Sequence, residues 1–157
     1  RRTVCRSGAD LVTSQVYLLD TGPLGHLVHP QATKRYAPII AWYESTLRDG
    51  GRIRVPAIAD YELRRNLLLE GLSVSLERLD ALCESLYLPL DAGTWRCAAR
   101  LWAEVRNAHR PTAPPQALDG DVILAAQARA VDGIVVTYNT RHLDQLVTVI
   151  SFDQGCA

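Results

Sequence analysis

The stretch Val16-Tyr17-Leu18-Leu19-Asp20-Thr21-Gly22-Pro23 decides how the fold is read. A short apolar run that stops at an acid, a threonine and a glycine reads as a buried strand followed by a turn. Pro23 then suits the first turn of a helix through Leu24–Val28, where a missing N–H leaves no helical bond unmade. Outward from this unit, strands and helices alternate. Ala37–Leu47 places Ile40, Trp42, Tyr43 and Leu47 at helical spacing, and Asp49-Gly50-Gly51 stops it. Arg52–Val55 is a second predicted strand, and Ala57–Glu70 is a helix ended by Gly71. Ser73 is expected to cap the next helix, whose apolar stripe is Leu76, Leu79, Leu82, Cys83 and Leu86.

Tyr87–Leu90 reads as a third strand. Thr94 is expected to cap an amphipathic helix carrying Trp95, Ala98, Leu101, Trp102 and Val105. The segment Arg110–Gln116 holds three prolines and reads as a loop inside the domain. Asp119–Ala130 begins acidic and continues as a buried helix, Gly133 ends it, and Ile134–Thr137 and Val147–Phe152 are the fourth and fifth strands. Alternating strands and helices predict an α/β fold with a parallel, doubly wound sheet. Residues 1–15 are read as an N-terminal extension, disordered or processed, and 16–157 as one domain.

Composition narrows the class. The chain has 157 residues, 48% hydrophobic and 22% charged, as soluble globular domains do. No apolar run approaches the ~20 residues of a membrane span. Arg1–Ser14 is polar and mixed, without a secretory pattern. Lysine plus arginine equals aspartate plus glutamate at 17 each, so charge alone does not mark an avid binder of long nucleic acid. The cations are nearly all arginine, which suits discrete phosphate contacts. Cys5, Cys83, Cys97 and Cys156 are widely spaced, with no C-x-x-C pair. Together these features predict a reducing, cytoplasmic setting.

In an open parallel sheet, ligands bind beyond the carboxyl ends of the strands, where the strand order reverses. Asp20 follows the first predicted strand and Asn139 the fourth, while Glu62 and Asp121 are expected in the first turns of helices leaving the same edge. Asp119 either joins them or caps its helix. Carboxylates gathered at one edge repel each other, and a hard cation such as Mg²⁺ or Mn²⁺ relieves that repulsion. Thr21 and Thr137 are candidates to bond a carboxylate or a metal-bound water. Arg64 and Arg65 are candidates for contacting a substrate phosphate. No G-x-S-x-G, P-loop or G-x-G-x-x-G motif is present. His26 and His29 lie one helical turn apart without accompanying acids, and they read as surface or satisfied histidines. Trp42, Trp95 and Trp102 occupy core-like helical positions.

At these residues the chain resembles the PIN-domain family, and within it the VapC-type ribonucleases of toxin–antitoxin pairs. Tyr17-Leu18-Leu19-Asp20-Thr21-Gly22 is similar to the first motif, and Val55-Pro56-Ala57-Ile58-Ala59-Asp60-Tyr61-Glu62-Leu63-Arg64-Arg65 to the second. Asp121-Val122-Ile123-Leu124-Ala125-Ala126 is similar to the third, and Val135-Val136-Thr137-Tyr138-Asn139-Thr140-Arg141-His142-Leu143 to the fourth. The resemblance implies a three-layer fold, with a five-stranded parallel sheet flanked by helices. It also implies Mg²⁺- or Mn²⁺-dependent phosphodiesterase activity on RNA, with Asp20, Glu62 and Asp121 on the metal and Asn139 assisting. A small antitoxin partner and homodimerisation are implied for the toxin branch. Asn139 and His142 depart from the family pattern, in which acids often stand at both places; one negative charge fewer argues against a second metal. Two further classes stay open on the residues alone. One is a non-catalytic PIN-like domain that binds RNA or protein. The other is a small α/β hydrolase acting on a phosphate-containing small molecule.

Overall fold

The computed structural model describes residues 14–108, 115–141 and 143–152. Five parallel strands lie in the order β3-β2-β1-β4-β5: β1 (Val16–Leu19), β2 (Arg52–Pro56), β3 (Tyr87–Leu88), β4 (Ile134–Thr137) and β5 (Val149–Ser151). Side chains alternate across a strand, so Leu18 and Leu19 enter opposite faces of the sheet, and both are fully buried. Their partners across the β1–β4 pair are Val135 and Val136, which carry the same two-sided burial into β4. The strand order reverses between β1 and β4, whose carboxyl ends therefore flank the crevice expected in such a sheet.

Helices cover both faces. Leu24 and Val28 of α1 (Thr21–Val28), Ile39 of α3 (Ala37–Arg48) and Ala59, Leu63 and Leu67 of α4 (Ala57–Glu70) pack on one side. Leu79 of α5 (Ser73–Leu86) joins them against Leu19, Ile53, Val55 and Val136. On the other side Leu124 and Ala128 of α7 (Pro115–Ala130) meet Val16, Leu18 and Val135. Outside α7, α6 (Ala92–Asn107) contributes Ala98 and Leu101 to a third cluster. A single turn, α2 (Ala32–Arg35), links α1 to α3. Three layers around a five-stranded parallel sheet are what the sequence pattern and the resemblance implied. Among the described residues, no helix is long and apolar enough to cross a membrane.

Several local expectations are corrected. Asp91, not Thr94, caps α6: its Oδ1 accepts the Thr94 N–H at 2.7 Å, so Thr94 is the capped residue three positions inside. Ser73 is the first residue of α5 and caps nothing, because Leu72 occupies the cap position. The third and fifth strands are shorter than predicted, at Tyr87–Leu88 and Val149–Ser151. The α7 helix starts at Pro115, four residues before the predicted Asp119. Asp119 and Asp121 therefore sit in its second turn instead of its first, and Glu62 lies in the second turn of α4. Trp95 and Trp102 are 51% and 37% exposed, so only the Ala98 and Leu101 side of α6 is core. Trp42 does pack inward, edge-on to Tyr17 and Phe152. The extension at residues 1–13, most of the proline-containing loop, His142, Cys5 and Cys156 lie outside the described residues.

One buried polar side chain fixes the two helices that carry acids. Gln127 of α7 is 1% exposed; its Nε2 donates to the Leu88 carbonyl at 2.8 Å and its Oε1 accepts from Ile58 N at 3.3 Å. The Ile58 N–H belongs to the first turn of α4, where no helical carbonyl is available to it. Gln127 thus ties α7 to the start of α4 and to the end of β3. Gln127→Leu leaves both backbone groups without a partner in the core. Unfolding in urea is expected to show a loss of about 2–4 kcal/mol. An unchanged midpoint would show that the bridge contributes nothing.

Candidate active site

The site is assembled where β1 and β4 end. Asp20 leaves β1 in an extended conformation and caps α1, its Oδ1 accepting the Thr21 N–H at 2.7 Å. Its backbone N–H donates to Val136 O at 3.0 Å, which continues the β1–β4 ladder up to the acid itself. The second carboxylate oxygen, Oδ2, accepts the Thr137 hydroxyl at 2.7 Å. Thr137 is fully buried, and its Oγ1 also accepts the Asn139 N–H at 3.0 Å. One hydroxyl therefore holds Asp20 and the turn carrying Asn139 together.

The second acid is joined to the first through the chain. Thr21, next to Asp20, donates its hydroxyl to Glu62 Oε2 at 2.7 Å and so draws α4 to the start of α1. Glu62 also presses on α7: a Cβ placed on Gly120 would lie 2.5 Å from Glu62 Oε1. That close approach explains why a glycine, a poor helix former, stands inside α7. Asp121 is the next residue, half-buried on the same turn. Asp20 and Glu62 are thus coupled through one threonine, and Asp121 directly follows Gly120, the residue of α7 that Glu62 approaches. Among the described residues, no three His, Cys, Asp or Glu side chains converge closely enough to form a metal-ligand group by themselves.

The donor chemistry suits a hard divalent cation. All the donors are oxygens, and Mg²⁺ characteristically takes one or two carboxylates and keeps several waters. Asp20 and Glu62 answer that description, with Asp121 beside them.

The other candidates separate into distinct settings. Asn139 is exposed at the mouth of the crevice, and its Oδ1 accepts the Arg141 N–H at a long 3.4 Å. Asp119 is exposed and lines a groove of about 400 Å³ with Trp95, Trp102 and Val122, on the α6 side of α7. Arg64 is committed within the fold. It binds Asp60 through Nε and Nη2 and reaches Asp80 Oδ1 at 2.6 Å, locking α4 to α5. Asp60 in turn accepts from the Cys83 thiol, and burial followed by the carboxylate pushes that thiol up to about 11. Arg65 lies over the Tyr61 ring at 5.3 Å.

A cluster read as unremarkable in the sequence borders the site. His26 Nδ1 is 2.8 Å from the Tyr138 hydroxyl, and its ring stacks on Tyr36 with centroids 3.7 Å apart. Tyr138 lies against the Cα of Gly22, where a Cβ would approach it to 2.9 Å. His26 therefore links α1 to the residue that follows Thr137. Its partners come from separate segments, so no spacing rule reveals them.

A family profile described as PIN domain matches residues 17–146. No curated protein matches the chain by sequence. The fold is similar to the structure of VapBC2 from Rickettsia felis bound to a DNA fragment from their promoter: TM-score 0.72, 17% identity, 88% of this chain and 100% of that one. It is also similar to FitAcB from Neisseria gonorrhoeae: TM-score 0.64, 22% identity, 86% and 96%. A third is VapBC-1 from nontypeable Haemophilus influenzae: TM-score 0.64, 18% identity, 87% and 98%.

Burial, then the charges of His29 and Arg35, hold the His26 imidazolium below its ordinary value of 6.5. The unfolded chain therefore takes up this proton first. The contribution of His26 to stability falls as pH drops through 6.5 and levels off below the folded value. An NMR titration of the imidazole is expected to give a midpoint below 6.5, moving upward in Arg35→Gln. A midpoint at or above 6.5 in the parent would contradict the burial and charge pattern described.

Proposed function

The chain belongs to the PIN-domain family, and on that premise we propose that it is a divalent-metal-dependent endoribonuclease, the toxin component of a VapBC-like toxin–antitoxin pair. PIN domains are generally nucleases that use divalent metals, and the structural neighbours are VapBC and FitAB assemblies. The observation that carries the reading is the coupling of Asp20 and Glu62. Each acid is held by a threonine hydroxyl at 2.7 Å, at the one point where the strand order reverses.

Asp20, Glu62 and Asp121 are the residues assigned to Mg²⁺ or Mn²⁺. When bound, the ion neutralises charge developing on a phosphodiester and makes water more acidic. The protein's part is to keep that charge in register. Thr137 orients Asp20, Thr21 orients Glu62, and Gly120 leaves room for the Glu62 carboxylate against α7, one residue before Asp121. The Asn139 side chain, exposed at the mouth, offers a neutral carbonyl or amide to water or substrate. With asparagine in that place instead of an acid, the site carries one charge fewer, which favours one metal over two. His142, the other departure, is kept as a secondary candidate for the site, together with Thr21, Asp119 and Thr137. The cellular setting proposed is cytoplasmic, with a small antitoxin as protein partner and a homodimer as the assembly.

The exposed, neutral Asn139 also supports a second reading, a PIN domain that binds RNA or protein without turnover. The two readings part on one assay. Single-stranded RNA incubated with Mn²⁺ is expected to be cut endonucleolytically. Cutting is expected to stop with chelator and to return when Mn²⁺ or Mg²⁺ is added back. Asp20→Asn, Glu62→Gln and Asp121→Asn should each lower the rate at least about a hundredfold, as loss of a charge-stabilising group does. Cleavage that survives chelation or any of these substitutions contradicts the assignment, and RNA binding without cleavage selects the second reading.

Gly120→Ala offers a finer check, because it forces a methyl group onto Glu62 without replacing any of the three assigned acids. A cleavage rate lowered about tenfold, with circular dichroism unchanged, is the expected outcome. Full activity would show that the Glu62–α7 contact does not matter to the site.

A further inference from the structure

Of the cations expected to meet substrate phosphate on α4, Arg64 is held by two carboxylates, while Arg65 lies over Tyr61 and stays exposed. A denser group of exposed positive charge lies on a different element beside the site. From Thr21 to Tyr43 the chain contains no aspartate or glutamate, yet it holds Lys34, the only lysine, with Arg35, His26 and His29. Lys34 and Arg35 form the last turn of α2 and are exposed. Among the described residues, the ion pairs involve Arg64 and neither of these two. Arg78 adds a further cation by donating to the His29 carbonyl at 2.7 Å.

These charges connect to the carboxylates by an unbroken run of rings. The Arg35 guanidinium lies 5.7 Å from the centroid of Tyr36, Tyr36 stacks on His26, and His26 bonds Tyr138. Tyr138 rests on Gly22, between Thr21, which holds Glu62, and Thr137, which holds Asp20. The lowered proton affinity of His26, caused in part by His29 and Arg35, is in keeping with a positive local field. A basic patch interleaved with aromatic rings is the surface that unpaired nucleic acid uses, since its phosphates and base faces are both accessible.

We infer that Lys34 and Arg35, carried on the Tyr36–His26–Tyr138 stack, form the surface that grips the phosphates of single-stranded RNA as it enters the carboxylate site. This inference rests on the ribonuclease reading for its ligand and adds to it the path of the strand. Lys34 and Arg35 bind phosphate, and the stack fixes where they stand relative to Asp20 and Glu62.

Salt dependence tests it, because each phosphate contact releases counterions in proportion. The probe is a fluorophore-labelled single-stranded RNA oligonucleotide, and its affinity is measured in an Asp20→Asn background at KCl concentrations from about 50 to 200 mM. Lys34→Gln with Arg35→Gln should weaken binding at least about tenfold and make the log–log salt slope shallower by about 1.4, which is two single-strand contacts. Arg48→Gln with Arg52→Gln, two exposed cations at the other end of the sheet, should leave the slope unchanged. Arg35→Lys, which keeps the charge, should preserve it too. RNA should also protect Lys34 from an acetylating reagent, read by mass spectrometry on the otherwise unsubstituted Asp20→Asn protein.

An unchanged slope in the Lys34/Arg35 double variant, or acetylation of Lys34 undiminished by RNA, overturns the inference, whatever the cleavage assay gives. If the slope and protection follow expectation but the parent does not cut RNA, the strand path stands and the nuclease reading falls.

Discussion

The buried hydroxyl of Thr137 donates to Asp20 across the gap between β4 and β1, and the rest of the site is arranged around that bond. A parallel sheet brings two strand ends side by side, but it does not decide how the side chains beyond them point. Here the decision is made by polar contacts in a row. Thr137 fixes one oxygen of Asp20, the Thr21 N–H fixes the other, and the Thr21 hydroxyl carries the constraint to Glu62. Without these donors, neighbouring acids would turn away from one another toward water. The hydroxyls neutralise nothing, but they hold orientation in a place where charge repulsion opposes it.

The same logic separates charge committed within the fold from charge that stays exposed. Arg64, Asp60 and Asp80 form a network that joins α4 to α5, with Asp60 only 14% exposed at its side chain. A partly buried acid of that kind requires its cation, so Arg64 is not available to a ligand. Among the described residues, Lys34 and Arg35 form no ion pair with an acid, and both are exposed, as is Asn139. The chain is neutral overall, yet its positive charge is not evenly spread, because an acid-free stretch wraps from the first motif through α2.

What the sequence made legible follows from which signals are local. Apolar runs and glycine stops located all five strands and the α4 helix to its ends, since period and punctuation are carried by adjacent residues. Asp20 alone is a common turn residue; it stood out because three acids stand in order along one edge of the predicted sheet. Helix starts were less legible. Asp91 and Thr94 both fit a cap, and only the geometry shows that the aspartate side chain reaches the threonine N–H. The exposed Trp95 and Trp102 misled because an apolar stripe does not say how much of its width a neighbour covers. Gln127, Gly120 and the His26–Tyr138 pair were beyond reach for one reason. Each acts through a partner at least 58 residues away in the chain, and nothing in the local pattern marks it.

The central claim is that the β1–β4 edge presents Asp20 and Glu62 to one divalent cation. Crystals grown with Mn²⁺ and measured for its anomalous signal test that claim without reference to activity. A single peak within coordination distance of the Asp20 and Glu62 carboxylates, on the side facing Asp121, is the predicted result. No peak there, or Mn²⁺ bound instead at Asp119 or His26, would contradict it.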